Sequence, residues 1–247
     1  MKTTVNLPGL RLYDEPIQLE PLTVQEVLDL NSIVETSSSV SSDLLKIIDK
    51  KINIGTKYLY ENDLTYVMWW LRFHTYADSP KRVRYVCPHC EQEITTEIDS
   101  SHIADSIEEV NKDYHKEGVS VRLSKDRVVP MKLLTLGDIQ AVDSFVDQVL
   151  EDKKPATRQL CLLLKGMNPE LDLYTKYRKY TTSEPLTTDE LYNAMMFYQK
   201  YSYGVKKYVD ITCECNKKVR LPLEVSLSDF FPTSLDYEHL QIDIRTE

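Results

Sequence analysis

Glycine, long apolar runs and positive charge are all in short supply in this chain, and each shortage removes a class of function. Only 6 of the 247 residues are Gly, and none is arranged as a phosphate loop or a dinucleotide fingerprint, so nucleotide chemistry has no visible cradle. The longest apolar run, at residues 67–71, is broken by Arg72 and is far shorter than the ~20 residues that cross a bilayer. No membrane span is expected. Residues 1–8 lack a charged and apolar leader with a small-residue cleavage site, so no secretory signal is expected and a soluble intracellular protein is. Lys and Arg number 30 against 39 Asp and Glu, a net charge of −9, which repels phosphate backbones and anionic membranes and disfavours broad nucleic-acid binding. The five histidines, His74, His89, His102, His115 and His239, form no H-E-x-x-H pair, and no Ser occupies a G-x-S-x-G elbow. With no catalytic constellation in view, the expectation is a protein that is not an enzyme.

Two basic runs remain as candidate nucleic-acid surfaces, Lys81-Arg82-Val83-Arg84 and Lys176-Tyr177-Arg178-Lys179-Tyr180. Both are short and read more simply as exposed faces with buried partners. Trp69-Trp70, within an apolar helical pattern, and Cys161, within an apolar stretch, read as core.

Self-similarity is the strongest signal present. Asp63 opens a helical pattern with Leu64, Val67, Met68 and Leu71, followed by a corner at Tyr76, alternation through Val83 and Tyr85, and then Cys87. Asp189 opens a matching series with Leu191, Ala194, Met195 and Tyr198, a corner at Tyr203-Gly204, a strand at Tyr208-Val209, and Cys213. Asp63 to Asp189 and Cys87 to Cys213 are both 126 residues. Upstream, Ile17-Gln18-Leu19 leads to Leu22-Thr23, and Met131-Lys132-Leu133 leads to Leu134-Thr135 at an offset of 112. Thr23 with Glu26, and Thr135 with Asp138, have capping-box spacing. The change of offset places an insertion in the second series, at residues 174–185. Leu136, Ile139, Val142, Phe145, Val146, Val149 and Leu150 recur at helical spacing. Residues 36–42 are Ser-rich and read as a loop, and residues 99–118 as a polar connection with a short helix.

The expected fold is therefore α+β, with two internally repeated helix-and-strand halves: residues 1–105 with the Cys-Pro-His-Cys knuckle, residues 106–225 with the Cys-Glu-Cys pair, and an acidic tail at 226–247 whose Phe230-Phe231 forms an apolar hook for the core or for a partner. Five cysteines are too few for a disulfide framework, and four lie in close pairs. Cys87, Cys90, Cys213 and Cys215 supply the four thiolates of a closed tetrahedral zinc site, joining the halves in a zinc-ribbon-like four-cysteine arrangement. The single residue between Cys213 and Cys215 is shorter than the usual knuckle spacing, so its turn must differ. A site using His89 in place of one Cys stays open. So does a thiol-disulfide reading of Cys-Pro-His-Cys, which needs a helix N-terminus behind Cys87 to lower its pKa; the strand-like residues and nearby acids after Cys90 argue against that and should raise the pKa instead.

The run Ile17-Gln18-Leu19-Glu20-Pro21-Leu22-Thr23, the stretch from Asp63-Leu64-Thr65-Tyr66 to Arg72, the corner His74-Thr75-Tyr76 and Val86-Cys87-Pro88-His89-Cys90 together resemble the baseplate hub assembly proteins of T4-type contractile-tailed phages, over about the first hundred residues. The resemblance implies a late phage protein made in the host cytoplasm that helps build, or stays in, the tail baseplate hub. Its partners would be other hub or tail proteins, with no membrane and no nucleic acid among them, and no catalytic residue is implied. The alternative is a zinc-ribbon regulator that binds nucleic acid or a transcription complex, for which a basic face around the knuckles is the feature to seek.

Overall fold

The computed structural model describes residues 2–34, 42–77, 79–152 and 154–223, so most of the Ser-rich segment and the acidic tail with Phe230-Phe231 lie outside the described residues. The chain starts with an antiparallel pair, β1 (Thr3–Val5) and β2 (Ile17–Leu19). Helices α1 (Val24–Val34), α2 (Ser42–Lys51) and α3 (Glu61–Thr75) follow, with a 3-10 turn at Thr56–Tyr58 before α3. A hairpin of β3 (Lys81–Val86) and β4 (Glu93–Ile98) comes next. The short α4 (Ser100–Asp105) and β5 (Ile107–Glu108) form the connection.

The second stretch begins with the pair β6 (Val119–Arg122) and β7 (Val128–Met131). Helix α5 (Leu136–Phe145) runs into a π turn at Val146–Leu150, and α6 (Pro155–Gly166) follows. Helix α7 (Leu173–Arg178), a π turn at Lys179–Ser183 and α8 (Thr188–Lys200) come next. The chain ends in β8 (Gly204–Val205), β9 (Tyr208–Thr212) and β10 (Lys218–Pro222). Among the described residues every sheet is a two-stranded antiparallel pair, and the architecture is mixed helix and strand, α+β.

Local chemistry explains most of the element boundaries. The Thr23 N–H donates to Glu26 Oε2 (2.7 Å) and the Glu26 N–H to Thr23 Oγ1 (3.3 Å). Thr135 and Asp138 exchange the same pair of bonds, both 3.2 Å, so orphan donors at the starts of α1 and α5 are satisfied reciprocally. Lysines from the end of the next helix reinforce both carboxylates, Lys51 on Glu26 (2.6 Å) and Lys165 on Asp138 (3.3 Å). Helix α8 has a capping box of its own, Thr187 with Glu190, so it begins before Asp189. Helix α3 begins before Asp63 for a tertiary reason: the Glu61 N–H donates to Leu134 O (3.1 Å) and the Leu136 N–H to Leu59 O (2.8 Å). The two helix starts complete each other.

The strand before each capped helix is tied to the residues after the following helix. Glu20 N–H donates to Lys51 O (3.1 Å) and Asn53 N–H to Gln18 O (3.2 Å); Lys132 N–H donates to Gly166 O (2.9 Å) and Asn168 N–H to Pro130 O (2.8 Å). Bridges Leu19↔Ile52 and Met131↔Met167 lie between those bonds. The segment bonded in this way is Ile17-Gln18-Leu19 in the first stretch and Val129-Pro130-Met131 in the second, two residues before the 131–133 that the sequence pattern picks out. Val129 and Met131 are the buried alternate positions, while Lys132 leaves the strand to reach α6. The expected insertion, residues 174–185, forms most of α7 and its π turn.

Two main apolar clusters result. One packs α1, α2 and α3 beneath β1 and β2 around Leu19, Ile48, Val67 and Leu71, and takes in Leu136 from α5. The other packs α6 and α8 beneath β6 and β7 around Met131, Leu164, Ala194 and Phe197, and takes in Leu12 from the opening segment. Helix α8 faces its core with Glu190, Ala194 and Phe197; Met195, expected on that face, is 58% exposed. The buried Cys161 lies in a smaller cluster with Val142 and Val146, and burial pushes its thiol up to about 11.

Candidate metal centre

The hairpins β3–β4 and β9–β10 each have one apolar face, because residues i and i+2 share a side of a strand. Val83 and Tyr85 of β3, Ile94 of β4, Val209 and Ile211 of β9, and Val219 and Leu221 of β10 pack together in one cluster with the four paired cysteines. The base of these ribbons rests on Trp69 and Phe73 of α3, with Ile98, Ile103 and Leu223 buried around them. The rings of Trp69 and Phe73 stack at 5.3 Å, and Trp69 Nε1–H donates to Leu223 O (3.2 Å). Helix α3 is therefore the platform and the cysteines are the far end of the ribbons.

Both turns end on the same device. In the first, Cys87 N–H donates to Gln92 O (3.0 Å), Glu91 N–H donates to Cys87 O (2.9 Å), and Glu91 has φ 59°. In the second, Cys213 N–H donates to Lys217 O (2.9 Å), Asn216 N–H donates to Cys213 O (2.8 Å), and Asn216 has φ 60°. The residue after the second cysteine is left-handed in each case, a conformation Asn tolerates better than Glu. The missing residue of Cys-Glu-Cys is absorbed between its cysteines, shortening the loop by one while keeping the left-handed exit.

The four Sγ atoms converge from the two turns. Cys87 Sγ lies 3.9 Å from Cys215 Sγ and Cys90 Sγ 3.7 Å from Cys213 Sγ, and all four are within 4.8 Å of one another. A tetrahedron with metal–sulfur bonds of ~2.3 Å has sulfur–sulfur edges of about 3.8 Å, so the donor set fits a thiophilic ion such as zinc after a small contraction. The ring of His89 is not among the converging ligand atoms; its backbone N–H donates to Cys87 Sγ (3.4 Å). All four thiols are free of disulfides.

A family model described as T4 bacteriophage base plate protein matches residues 2–154. The chain belongs to this family. The match takes in Cys87 and Cys90 and ends before Cys213 and Cys215, so the second half of the cluster is seen in the folded chain and not in the family match. No curated protein and no solved structure matches this baseplate protein.

Within the cluster, burial, peptide donors and neighbouring thiols act on each cysteine in opposing directions. Burial opposes ionisation of Cys87, yet the backbone N–H groups of His89 and Cys90, followed by the neighbouring thiols, outweigh it and bring Cys87 down to about 6. This corrects the sequence-based expectation of a raised value: peptide donors of the knuckle itself lower it, with no helix behind it. For Cys213 the Cys215 N–H favours the thiolate, but burial and the adjacent cysteines prevail and push it up to about 12; Cys90 is raised for related reasons. Thiolates this close cannot all ionise unless a cation joins them.

The basic runs do not form a face around the knuckles of the baseplate protein. Arg82 pairs with Glu97 (3.1 Å) and Arg84 lies 4.0 Å from Glu93 across the hairpin. Lys176 and Tyr180 are buried, so the second run turns partly inward. Among the described residues no helix is long and apolar enough to cross a membrane.

The residue that sequence reasoning missed is the role of Asp63. It is fully buried and accepts hydrogen bonds from Gly9 N–H (2.9 Å), Tyr13 OH (2.6 Å) and Tyr203 OH (3.0 Å). The opening segment, α3 and the approach to β8 meet on one carboxylate. Its position at the start of a helix reads as an ordinary first-turn acid, and only the distant tyrosines reveal its use.

Proposed function

We propose that this baseplate protein acts by protein–protein binding during assembly of the tail baseplate hub, and that its four cysteines hold a structural zinc. The convergence of thiols from positions 87–90 and 213–215 on one tetrahedral volume carries the reading. A four-thiolate site leaves no open position for a hydrolytic water, so its work is to fix structure and not to turn over substrate. Metal ligation contributes on the order of 10 kcal/mol of folding free energy in small zinc modules, which is ample to lock two ribbons that have only a narrow apolar interface of their own.

The two halves are read as copies of one unit: paired strands, capped helix, second helix, third helix, hairpin with a cysteine pair. The matching hydrogen bonds from Glu20 and Lys132, and from Asn53 and Asn168, support this, as do the paired capping boxes. In this view the ribbons are zinc-ribbon knuckles contributed one per copy. The protein is made in the host cytoplasm, and its partners are other hub or tail proteins. Elemental analysis of natively purified, reduced protein should find about one zinc per chain. Infection by a phage lacking this chain should yield heads and normal late transcription but no complete baseplates; loss of late transcription with intact baseplate assembly would remove the hub reading in favour of a regulator.

A further inference from the structure

At the joint between the two helical cores lies a pocket of about 730 Å³, a size and a setting that ligand sites favour. The two stretches of the chain meet in its lining: Tyr60 and Thr135 pair there as an isolated antiparallel bridge, and Leu12 beside them is buried in the second core. Three tyrosines supply its aromatic surface. The Tyr13 hydroxyl donates to Asp63 and accepts from the Tyr60 N–H (3.1 Å), which fixes its ring edge-on to that of Tyr60, with centroids 5.6 Å apart. Tyr58, on the 3-10 turn before α3, is 58% exposed and offers its ring to solvent.

The charged groups of the lining are Asp14, Glu15, Lys116 and Glu117. Lys116 pairs with Asp14, whereas Glu15 and Glu117, both exposed, have no ion-pair partner among the described residues. The Lys57 ammonium lies 4.8 Å over the ring of Tyr58; with it counted, three carboxylates still face two ammonium groups. The field inside has the same sign, since burial and then the carboxylates of Asp138, Asp63, Glu117 and Asp14 raise the Tyr60 hydroxyl above its ordinary pKa. Among the described residues only the four cysteines converge closely enough to ligate an ion, so these carboxylates are not placed for a metal. Aromatic rings beside unpaired carboxylates suit a guanidinium, which stacks on a ring face while its N–H groups donate to carboxylates in its own plane.

Resting on the reading that this baseplate protein works by binding other tail proteins, we propose that the pocket receives an arginine side chain of a partner protein, its guanidinium against Tyr58 and Tyr60 and its N–H groups directed to Glu15 and Glu117. The packed joint holds the pocket in shape before the partner arrives, which keeps the ordering cost of binding low. The contact is separate from the metal centre, because none of the four cysteines lines the pocket.

The test uses the full-length protein and two blocked tripeptides, Gly-Arg-Gly and its citrulline counterpart, which keeps the shape of arginine and lacks its charge. In NMR titrations the arginine peptide should shift the amide resonances of residues 13–15, 58–60 and 116–117, with a Kd on the order of 1 mM for so small a probe, and the citrulline peptide should bind at least several-fold more weakly. Tyr58→Ala and Glu117→Gln, both at exposed side chains, should each weaken the arginine peptide several-fold while leaving the melting temperature unchanged. Equal binding of the two peptides, shifts scattered over other acidic surfaces, or no shift from either would overturn the pocket. A phage carrying Glu15→Lys/Glu117→Lys should make no complete baseplates although the purified variant melts at the wild-type temperature; complete baseplates would overturn the partner's use of the pocket. The hub reading is decided separately, by the phage lacking the chain altogether, since peptide binding is measured with no tail protein present.

Discussion

Asp63 illustrates how a single carboxylate is set by its surroundings. Burial pushes its pKa up to about 6 even though Tyr13, Gly9 and Tyr203 all donate to it. An unfolded Asp titrates near 3.9, so the folded chain holds the proton more tightly. The associated stability is fully present below about pH 4 and is lost as pH rises through about 6. The gap of about two units corresponds to roughly 3 kcal/mol. Asp63→Asn keeps one acceptor oxygen and removes the titration, so the stability difference between wild type and variant should shift by up to about 3 kcal/mol in the variant's favour between pH 4 and pH 7. Denaturant titrations across that range would check it, and a pH-independent difference would refute the assignment. Cys215→Ser tests the other singular position: loss of one ligand should lower both bound zinc and the melting temperature, whereas Cys161→Ala, in an apolar cluster away from the knuckles, should leave the zinc content unchanged.

At the level of elements, the joint between α3 and β8 depends on a backbone that only glycine accommodates. Gly204 has φ +106°, and a Cβ there would collide with the carbonyl of Asn62. Gly55, with φ +74°, would bring a Cβ to 3.4 Å from Asp49 Oδ1, an ordinary contact. Gly204→Ala should therefore cost more than the ~1–3 kcal/mol of conformational strain alone, and more than Gly55→Ala, in thermal denaturation. Helix α7 carries the opposite kind of site. Lys176 is 1% exposed and donates to Lys165 O (3.0 Å). Burial, then repulsion from Lys165 and Lys132, bring its ammonium down to about 8. Its folded pKa lies below the unfolded value, so its cost is present below pH 8 and fades as pH rises toward 10.5. Lys176→Met should stabilise the protein by ~1–3 kcal/mol near pH 7, with the gain shrinking above pH 8. A destabilised variant would mean that the bond to Lys165 O outweighs desolvation.

The whole molecule is two helical cores with one pair of ribbons between them and the cysteines. The cores exchange residues, Leu136 into one and Leu12 into the other, and so do not depend on the metal for their packing. Chelation of a zinc-loaded sample should therefore accelerate hydrogen exchange in residues 83–98 and 209–222 first, while α2 and α6 keep their protection. Simultaneous loss of protection throughout would show that the metal supports the cores as well as the ribbons.

Much of this organisation was legible in the sequence because its causes are local. Thr-x-x-Glu and Thr-x-x-Asp set the starts of α1 and α5, period-two alternation set β3, and the close pairing of cysteines identified the four thiols. Offsets of 112 and 126 residues underlie the proposed duplication, and the stretch they mark as inserted, residues 174–185, falls largely on α7 and its π turn. Tertiary structure alone decided the rest. The face of α8 was misjudged at Met195 because a helix with apolar residues on more than one side has no unique inward direction until its neighbour is placed. The burial of Lys176, the use of Asp63 by two distant tyrosines and the sulfur–sulfur distances of 3.7 and 3.9 Å all depend on contacts between residues far apart in sequence, whose geometry no local pattern encodes.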